Sequence, residues 1–456
     1  MQARNLRGPA GTTRLILCVY IFVVLCTTAY SWWVYEKLRD QPLPLTFDKR
    51  PFFEETDRFH DLTNYVQLTD SLYGQAAKLG HSSIVFNYPP PAAFVYKVLL
   101  HTFPGHTLAP YLWFLGLCSL GFAVVTWFAA ERPTMLPGAV GFAIAVTAII
   151  GYPLLFTADR GNIEGVVWAL AAAGLCCMLR YRYMTGAVLI GMATAIKPFS
   201  ALYMLLLLAR RRYREPSAGA VVCGVLVLAS LIWLGPNPRK AYKELSSGMQ
   251  AYMQRYVTNI GPLEELRSNH SLLDGMKTAA LTIHMHRFDP VLARTELKKV
   301  RFQPGGWSVA RSLARVYPVV MSGALAMIIL VFRRARRLNQ LTAVAVAVTL
   351  IPFSAADYTL LHLYVPFGAW VVYLTRDVAT GRTKPRVGMM FAMAVIYGLL
   401  FAPLSPLMLY ASFAKTLLLI ALLVVCAMEP MKSSYFDADL STTKSAAEGA
   451  PTMLTA

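Results

Sequence analysis

The sequence predicts an all-α polytopic membrane protein with about twelve transmembrane helices, in a range of roughly 11–13, and two long polar loops on the outer face. Three observations predict it. Of 456 residues, 56% are hydrophobic and 15% are charged, against about 25% charged in an ordinary soluble domain. Mean hydropathy is +0.48. Apolar runs of about 20 residues, the length that crosses a hydrocarbon core of roughly 30 Å, recur along the chain. Too few polar side chains remain to cover a water-facing globule, and the same composition excludes a disordered, collagen-like or disulfide-rich scaffold. The seven cysteines (Cys18, Cys26, Cys118, Cys176, Cys177, Cys223 and Cys426) all lie inside apolar stretches. That argues against a disulfide framework or a thiolate zinc site.

Lys and Arg number 43 against 24 Asp and Glu, a formal net charge of +19. Two clusters, 210–214 and 333–337, directly follow apolar runs. Cationic loops held in the cytoplasm against anionic lipid headgroups account for this excess, so membrane lipids are expected partners and nucleic acid is not.

The first apolar run, 15–35, follows Arg4, Arg7 and Arg14, which argues for a cytoplasmic N-terminus. It ends in Trp32, Trp33 and Tyr35, an interfacial belt rather than a cleavage site, and so reads as a retained first helix. Segment 90–103 is too short to cross comfortably and reads as interfacial or re-entrant. Further spans are expected at 108–130, 138–157, 163–179, 217–235, 313–332, 341–353, 358–374, 387–401 and 406–428. Residues 184–209 resemble one span, yet basic residues flank both ends: Arg180 and Arg182 before, 210–214 after. Both flanks therefore belong on one side, and the segment should be a hairpin. Its apex falls at Lys197-Pro198, because proline removes a backbone donor and disfavours helix at the preceding residue. Both termini are then cytoplasmic, in a multi-pass protein of the cell membrane. One integral-membrane domain is expected over 1–429, with outer loops 36–88 and 237–312, and a disordered cytoplasmic tail over 430–456. The second loop carries about twelve Lys and Arg, which long translocated loops tolerate. No internal repeat is visible.

Several residues in this frame can carry chemistry. In the first outer loop Asp57, Asp61 and Tyr65 are spaced i, i+4, i+8 and share a face if helical. A carboxylate there can serve as general base towards a sugar hydroxyl; alternatively these acids balance Lys49, Arg50 and Arg58 in solvent. Asp159-Arg160-Gly161-Asn162-Ile163-Glu164 lies between two apolar spans. It reads either as an anion site at a helix N-terminus or as an interfacial turn capped by Asn162. Lys197 stands in a segment nearly free of charge, where it must face a polar cavity, pair with an acid, meet an anionic ligand or snorkel. Asp357, Tyr358 and His362 bound two spans and either line the same cavity or end the helices. His284-Met285-His286 has no nearby acid or thiol and makes a weak metal site.

The ordered set Asp61-x-x-x-Tyr65, Phe86-Asn87-Tyr88-Pro89-Pro90, Arg160-Gly161-Asn162, 191–198 ending in Lys197-Pro198, Asn269-His270-Ser271-Leu272 and 358–363 is similar to glycosyltransferase family 87. The resemblance spans roughly residues 15–375. It departs from the family at Asn162-Ile163-Glu164, and the C-terminal third matches poorly. The family's fold is GT-C. The resemblance implies inverting transfer of a sugar, a mannose-like hexose or a pentose, from a polyprenyl-phosphate donor to a lipid or glycan acceptor on the outer face. By the same resemblance Asp61 is the general base and Lys197 contacts the donor phosphate. Tyr65, Asn87, Tyr88, Arg160, Asn162, Asn269, His270, Tyr358 and His362 become substrate-binding residues. No cofactor and no divalent cation are expected. A lipid-linked sugar flippase or other polytopic transporter is the rival reading. Transporters commonly carry repeated halves, which are not visible here, and a polar loop of about 75 residues favours the enzyme.

Overall fold

The computed structural model describes residues 8–38, 59, 61–62, 88–130, 137–234, 237–258, 269–286, 308–334, 336–404, 407 and 410–437. Among these every named element is helical, and the only strand-like pairing is one antiparallel bridge between Asn269 and Ala356. In chain order the helices are α1 (Pro9–Leu38), α2 (Pro90–Thr102), α3 (Leu108–Ala129), α4 (Pro137–Ala145), α5 (Tyr152–Arg160), α6 (Glu164–Leu179), α7 (Tyr183–Ile196) and α8 (Leu205–Leu208). After them come α9 (Arg214–Trp233), α10 (Pro238–Tyr252), α11 (Leu272–His286), α12 (Ser308–Arg334), α13 (Arg337–Leu350), α14 (Tyr364–Tyr373), α15 (Val387–Leu400) and α16 (Tyr410–Met428). Five described helical segments are long and apolar enough to cross a membrane by themselves: 9–37, 108–129, 137–160, 214–233 and 410–428. Shorter apolar helices at 164–179, 183–196, 198–208 and 387–400 pack between them. The chain is an all-helical, multi-pass membrane protein.

Several of the described helices are interrupted or extended by π or 3₁₀ turns, and three of these breaks bear on the site. α4 passes into a π-helical turn, Val146–Ile150, before Gly151 and α5. α7 stops at Ile196; Lys197 is extended (φ −137, ψ 113), and a 3₁₀ segment, Pro198–Met204, follows. A second 3₁₀ segment, Asp357–Leu363, precedes α14. Such breaks mark functional positions more often than defects.

The hairpin expected at 184–209 is present. Arg210 donates to the Tyr183 hydroxyl at 2.8 Å, so the chain descends from Lys197 to the level where α7 began. α9 packs closely along α7. A Cβ at Gly191 would come within 2.3 Å of the Gly219 carbonyl oxygen, so a glycine is required at that crossing. The middle of α2 is held beside the start of α6 and the end of α9: Ile163 N–H donates to Tyr96, and Phe94 meets Trp233. That suits the interfacial reading of 90–103.

Of outer loop 36–88, only the end of α1, residues 59, 61–62 and 88 are described. α10 and α11 fall within 237–312. Asn237 caps α10 by accepting from the N–H groups of Arg239 and Lys240, with Pro238 at the first position.

The expected disordered tail needs correction at its start. Residues 430–437 are packed, because two buried polar groups use them as partners. Asn339, wholly buried, donates to the carbonyls of Cys426 and Glu429 and accepts from Met431 N–H at 2.9 Å. Asp377, equally buried, accepts from Ser433 Oγ at 2.7 Å and Ser434 N–H at 3.1 Å. Leaving either buried group unsatisfied would cost about 1–3 kcal/mol. Residues 438–456 lie outside the described set.

Candidate functional site

Asp61 is brought against the end of α5 by a close backbone approach. Gly161 is left-handed (φ +64), and a Cβ on it would sit 2.5 Å from that of Leu62. Only glycine permits both the conformation and the contact. Phe59 N–H donates to the Asp159 carbonyl at 2.6 Å and anchors the same segment.

Asn162 then organises the carboxylate. Its Nδ2 donates to Asp61 Oδ2 at 2.6 Å and to the Tyr88 hydroxyl at 3.0 Å, while its Oδ1 accepts from Glu164 N–H at 2.9 Å. The backbone donor fixes which way the amide points. Arg160 pairs with Asp61 Oδ1 at 3.3 Å.

Glu164, the first residue of α6, is 1% exposed. One of its oxygens holds the Lys197 ammonium, and the other meets His362 Nε2 at 2.7 Å. His362 Nδ1 in turn hydrogen-bonds the Tyr203 hydroxyl at 3.1 Å. Lys197 lies 4.7 Å from the Tyr358 ring centroid and 5.3 Å from that of Tyr88. Its side chain remains 19% exposed. Tyr88 therefore touches both ends of the arrangement: its hydroxyl shares Asn162 with Asp61, and its ring faces Lys197. A carboxylate and a cation thus lie on either side of Tyr88.

A second ionic cluster sits where α11, α16 and the 355–359 turn meet. His270 N–H donates to the Ala355 carbonyl at 2.7 Å, and its ring meets Asp357 at 3.3 Å and Thr359 at 3.1 Å. Lys415 pairs with the other oxygen of Asp357 and lies 5.0 Å from the Tyr152 ring centroid. Ser271 donates to Asp274 at 2.8 Å, and Lys277 sits 3.7 Å from the same carboxylate. All of these groups are buried. Burial holds His270 below its usual imidazole value, with Asp357 pulling the other way. Burial wins at Asp274, which is raised, and at Lys277, which is lowered.

Of the residues singled out in the sequence, Asp61, Tyr88, Arg160, Asn162, Lys197, Tyr358 and His362 come together in the first pocket. Asn269 and His270 belong to the second cluster instead. Tyr65 and Asn87 lie outside the described residues, as does Asp57. Tyr203 and Lys415 were not singled out in the sequence, and Glu164 and Asp357 were named there only within segments open to a structural reading. Lys415 carried a readable signal, a single charge within an apolar run, the same signal that Lys197 gives. Among the described residues no group of three or more His, Cys, Asp or Glu is arranged to hold a metal ion.

The model of glycosyltransferase family 87 matches residues 86–353, more than half of the chain. A polyprenol-phosphate-mannose-dependent alpha-(1-2)-phosphatidylinositol pentamannoside mannosyltransferase of Mycolicibacterium smegmatis is 30% identical over 197 residues, 41% of this chain. The match covers 46% of that relative, so the chain spans less than half the length of the curated protein it resembles. No solved structure matches. The matched region contains the Arg160–Glu164 turn, the hairpin apex at Lys197 and the Asn269–Leu272 segment, and on that match the chain belongs to glycosyltransferase family 87.

Proposed function

We propose that the protein transfers a mannose-like hexose or a pentose from a polyprenyl-phosphate donor to a lipid or glycan acceptor, with inversion at the anomeric carbon. Asp61 accepts the proton of the acceptor hydroxyl as its oxygen attacks the anomeric carbon. The bond from that carbon to the phosphate oxygen breaks on the opposite side, and the electron pair leaves with the lipid phosphate. Lys197 balances the charge that develops there, a role in which one fixed donor typically contributes about 10²–10³-fold in rate. Glu164 orients Lys197, and His362 braces Glu164. Arg160 and Asn162 fix the rotamer of Asp61 so that its free lone pair meets the acceptor. Tyr88 and Tyr358 offer the ring faces against which a sugar can pack. The relative's dependence on polyprenol-phosphate-mannose supports a lipid-phosphate donor of the same kind. The reading extends to a GT-C-type architecture. Its twelve or so passes are α1, α3, α4–α5, α6, both arms of the hairpin, α9, α12, α13, the 3₁₀–α14 segment, α15 and α16. In this orientation the pocket is on the outer face of the cell membrane and both termini are cytoplasmic.

The observation that carries the reading is the shared pocket: a carboxylate held by Asn162 and Arg160, and a reachable lysine across Tyr88 from it. Membranes incubated with radiolabelled polyprenyl-phosphate sugars test it. Asp61→Asn should lower turnover by about 10²–10⁴-fold, the usual cost of losing a general base, while the lipid donor still binds. Asp57→Asn should keep most activity. Turnover at the parent rate in Asp61→Asn would remove the carboxylate from the mechanism.

A further inference from the structure

A cavity of about 340 Å³ lies between α3, α6 and α14, away from the Asp61 pocket. Small side chains make the room for it: Ala169, Ala172, Ala173 and Cys176 along α6, and Gly121 and Gly368 facing them. Such a stripe alone identifies nothing, but both ends of this one carry polar groups. At one end Trp168, 1% exposed, lines the cavity, and its indole N–H has no hydrogen-bond partner among the described residues. At the other end is Arg180, exposed and making no hydrogen bond or ion pair with a described side chain. Arg376 adds a second cation there, donating to the Ala129 carbonyl at 2.6 Å and lying 4.2 Å over the Tyr435 ring; Ala129 and Tyr435 both line the cavity.

Trp168 and Arg180 are about 18 Å apart along α6 at ~1.5 Å per residue, close to half of a hydrocarbon core of about 30 Å. The slot therefore has the reach of one leaflet, an apolar wall and a cationic mouth. A polyprenyl donor does not suit it. The donor's phosphate belongs at Lys197, whose partner Glu164 opens α6, whereas the cations of the slot are at the opposite end of that helix.

We infer that the slot binds one anionic phospholipid, its acyl chain between α3, α6 and α14 and its phosphate at Arg180. The leaflet is the one opposite the transfer pocket. A basic residue near a lipid phosphate gives a preference of about five-fold over a zwitterionic headgroup.

The test uses the full chain, purified in detergent containing equal phosphatidylglycerol and phosphatidylcholine, with retained lipid read by native mass spectrometry. The parent should keep one phosphatidylglycerol, about five-fold over phosphatidylcholine. Ala172→Phe fills the slot and should lose it. Arg180→Gln changes an exposed side chain and leaves folding alone; it should still retain a lipid, with the headgroup preference gone. Equal retention of the two lipids by the parent would overturn the inference, as would undiminished phosphatidylglycerol in Ala172→Phe or an unchanged preference in Arg180→Gln. Displacement of the phosphatidylglycerol by an equimolar polyprenyl phosphate would overturn it too, by assigning the slot to the donor's chain. Should Ala172→Phe fail to fold, the Arg180→Gln preference decides. None of these readouts depends on transferase activity.

Discussion

Lys197 and Lys415 are built into nearly the same set of groups. Each pairs with a buried carboxylate, Glu164 or Asp357, that also meets a histidine, and each lies over a tyrosine ring. The side chain of Lys197 is 19% exposed and that of Lys415 only 2%. Where the lysine can be reached, the pair can exchange its partner for a ligand phosphate. Where it cannot, the pair serves to hold α16, the 355–359 turn and the start of α11 together. On the proposed function the same chemistry serves as a binding device in one place and a structural clasp in the other, and access makes the difference.

The contrast breaks hardest at Lys415. Lys415→Met leaves Asp357 buried with its principal partner gone, which typically costs about 3–5 kcal/mol. The thermal inactivation midpoint in detergent should fall sharply, and Lys415→Met/Asp357→Leu should recover much of it because no lone charge remains. A single variant as stable as the parent would end the clasp reading. Lys197→Ala comes next. It should leave the midpoint much closer to the parent, since His362 remains on Glu164, yet lose about 10²–10³-fold in kcat/KM for the lipid donor, the usual worth of one fixed donor at developing charge. Lys197→Arg should restore part of this, as charge is kept while reach changes. Full activity in the alanine variant would strike Lys197 from the mechanism.

Acid sharpens the comparison more gently. His270 is held below its usual value, so the unfolded chain binds a proton that the folded chain refuses. Stability should therefore fall with pH below about 6.5, by up to ~1.4 kcal/mol per pH unit for this one group. Inactivation midpoints measured between pH 7 and 5 show this slope, and His270→Gln should flatten it. A parent midpoint independent of pH would contradict it. The smallest expected effect is none: membranes treated with EDTA and washed should transfer sugar at the untreated rate, because Lys197 is assigned the phosphate charge. Loss of activity restored by magnesium or manganese would reassign that charge to a metal.

Lys197 was legible in the sequence because a charge within an apolar run is conspicuous, whereas Asp61, Tyr88, Arg160 and Asn162 entered as site residues through the family resemblance. Lys197-Pro198 announced a break, and the basic flanks of 184–209 announced the hairpin. Pairing was not legible. Arg160 is 99 residues from Asp61, and Asp357 is 58 from Lys415; which helices become neighbours decides such pairs, and spacing is silent on it. Glu164 read as part of a turn because its two partners come from elements 33 and 198 residues away. His270 sat in a recognisable motif, yet its ring faces Asp357 and Thr359 rather than the pocket. Residues 430–437 looked like the start of a Ser/Thr-rich tail. Their order comes from Asn339 and Asp377, which nothing local in that segment reveals.

That last pairing has a consequence for how the molecule is made. Asn339 is 92 residues ahead of Met431, its backbone donor. At ~5–20 residues per second, synthesis reaches that donor about 5–20 s after Asn339 itself. Throughout this interval α13 is inserted with a polar amide that lacks its eventual partners, and Asp377 waits in the same way for Ser433 and Ser434. This end of the bundle is therefore completed only after the 92 residues between Asn339 and Met431 have been made. A chain stopped between Met428 and Met431 would hold α13 and α16 without the backbone donor that closes them.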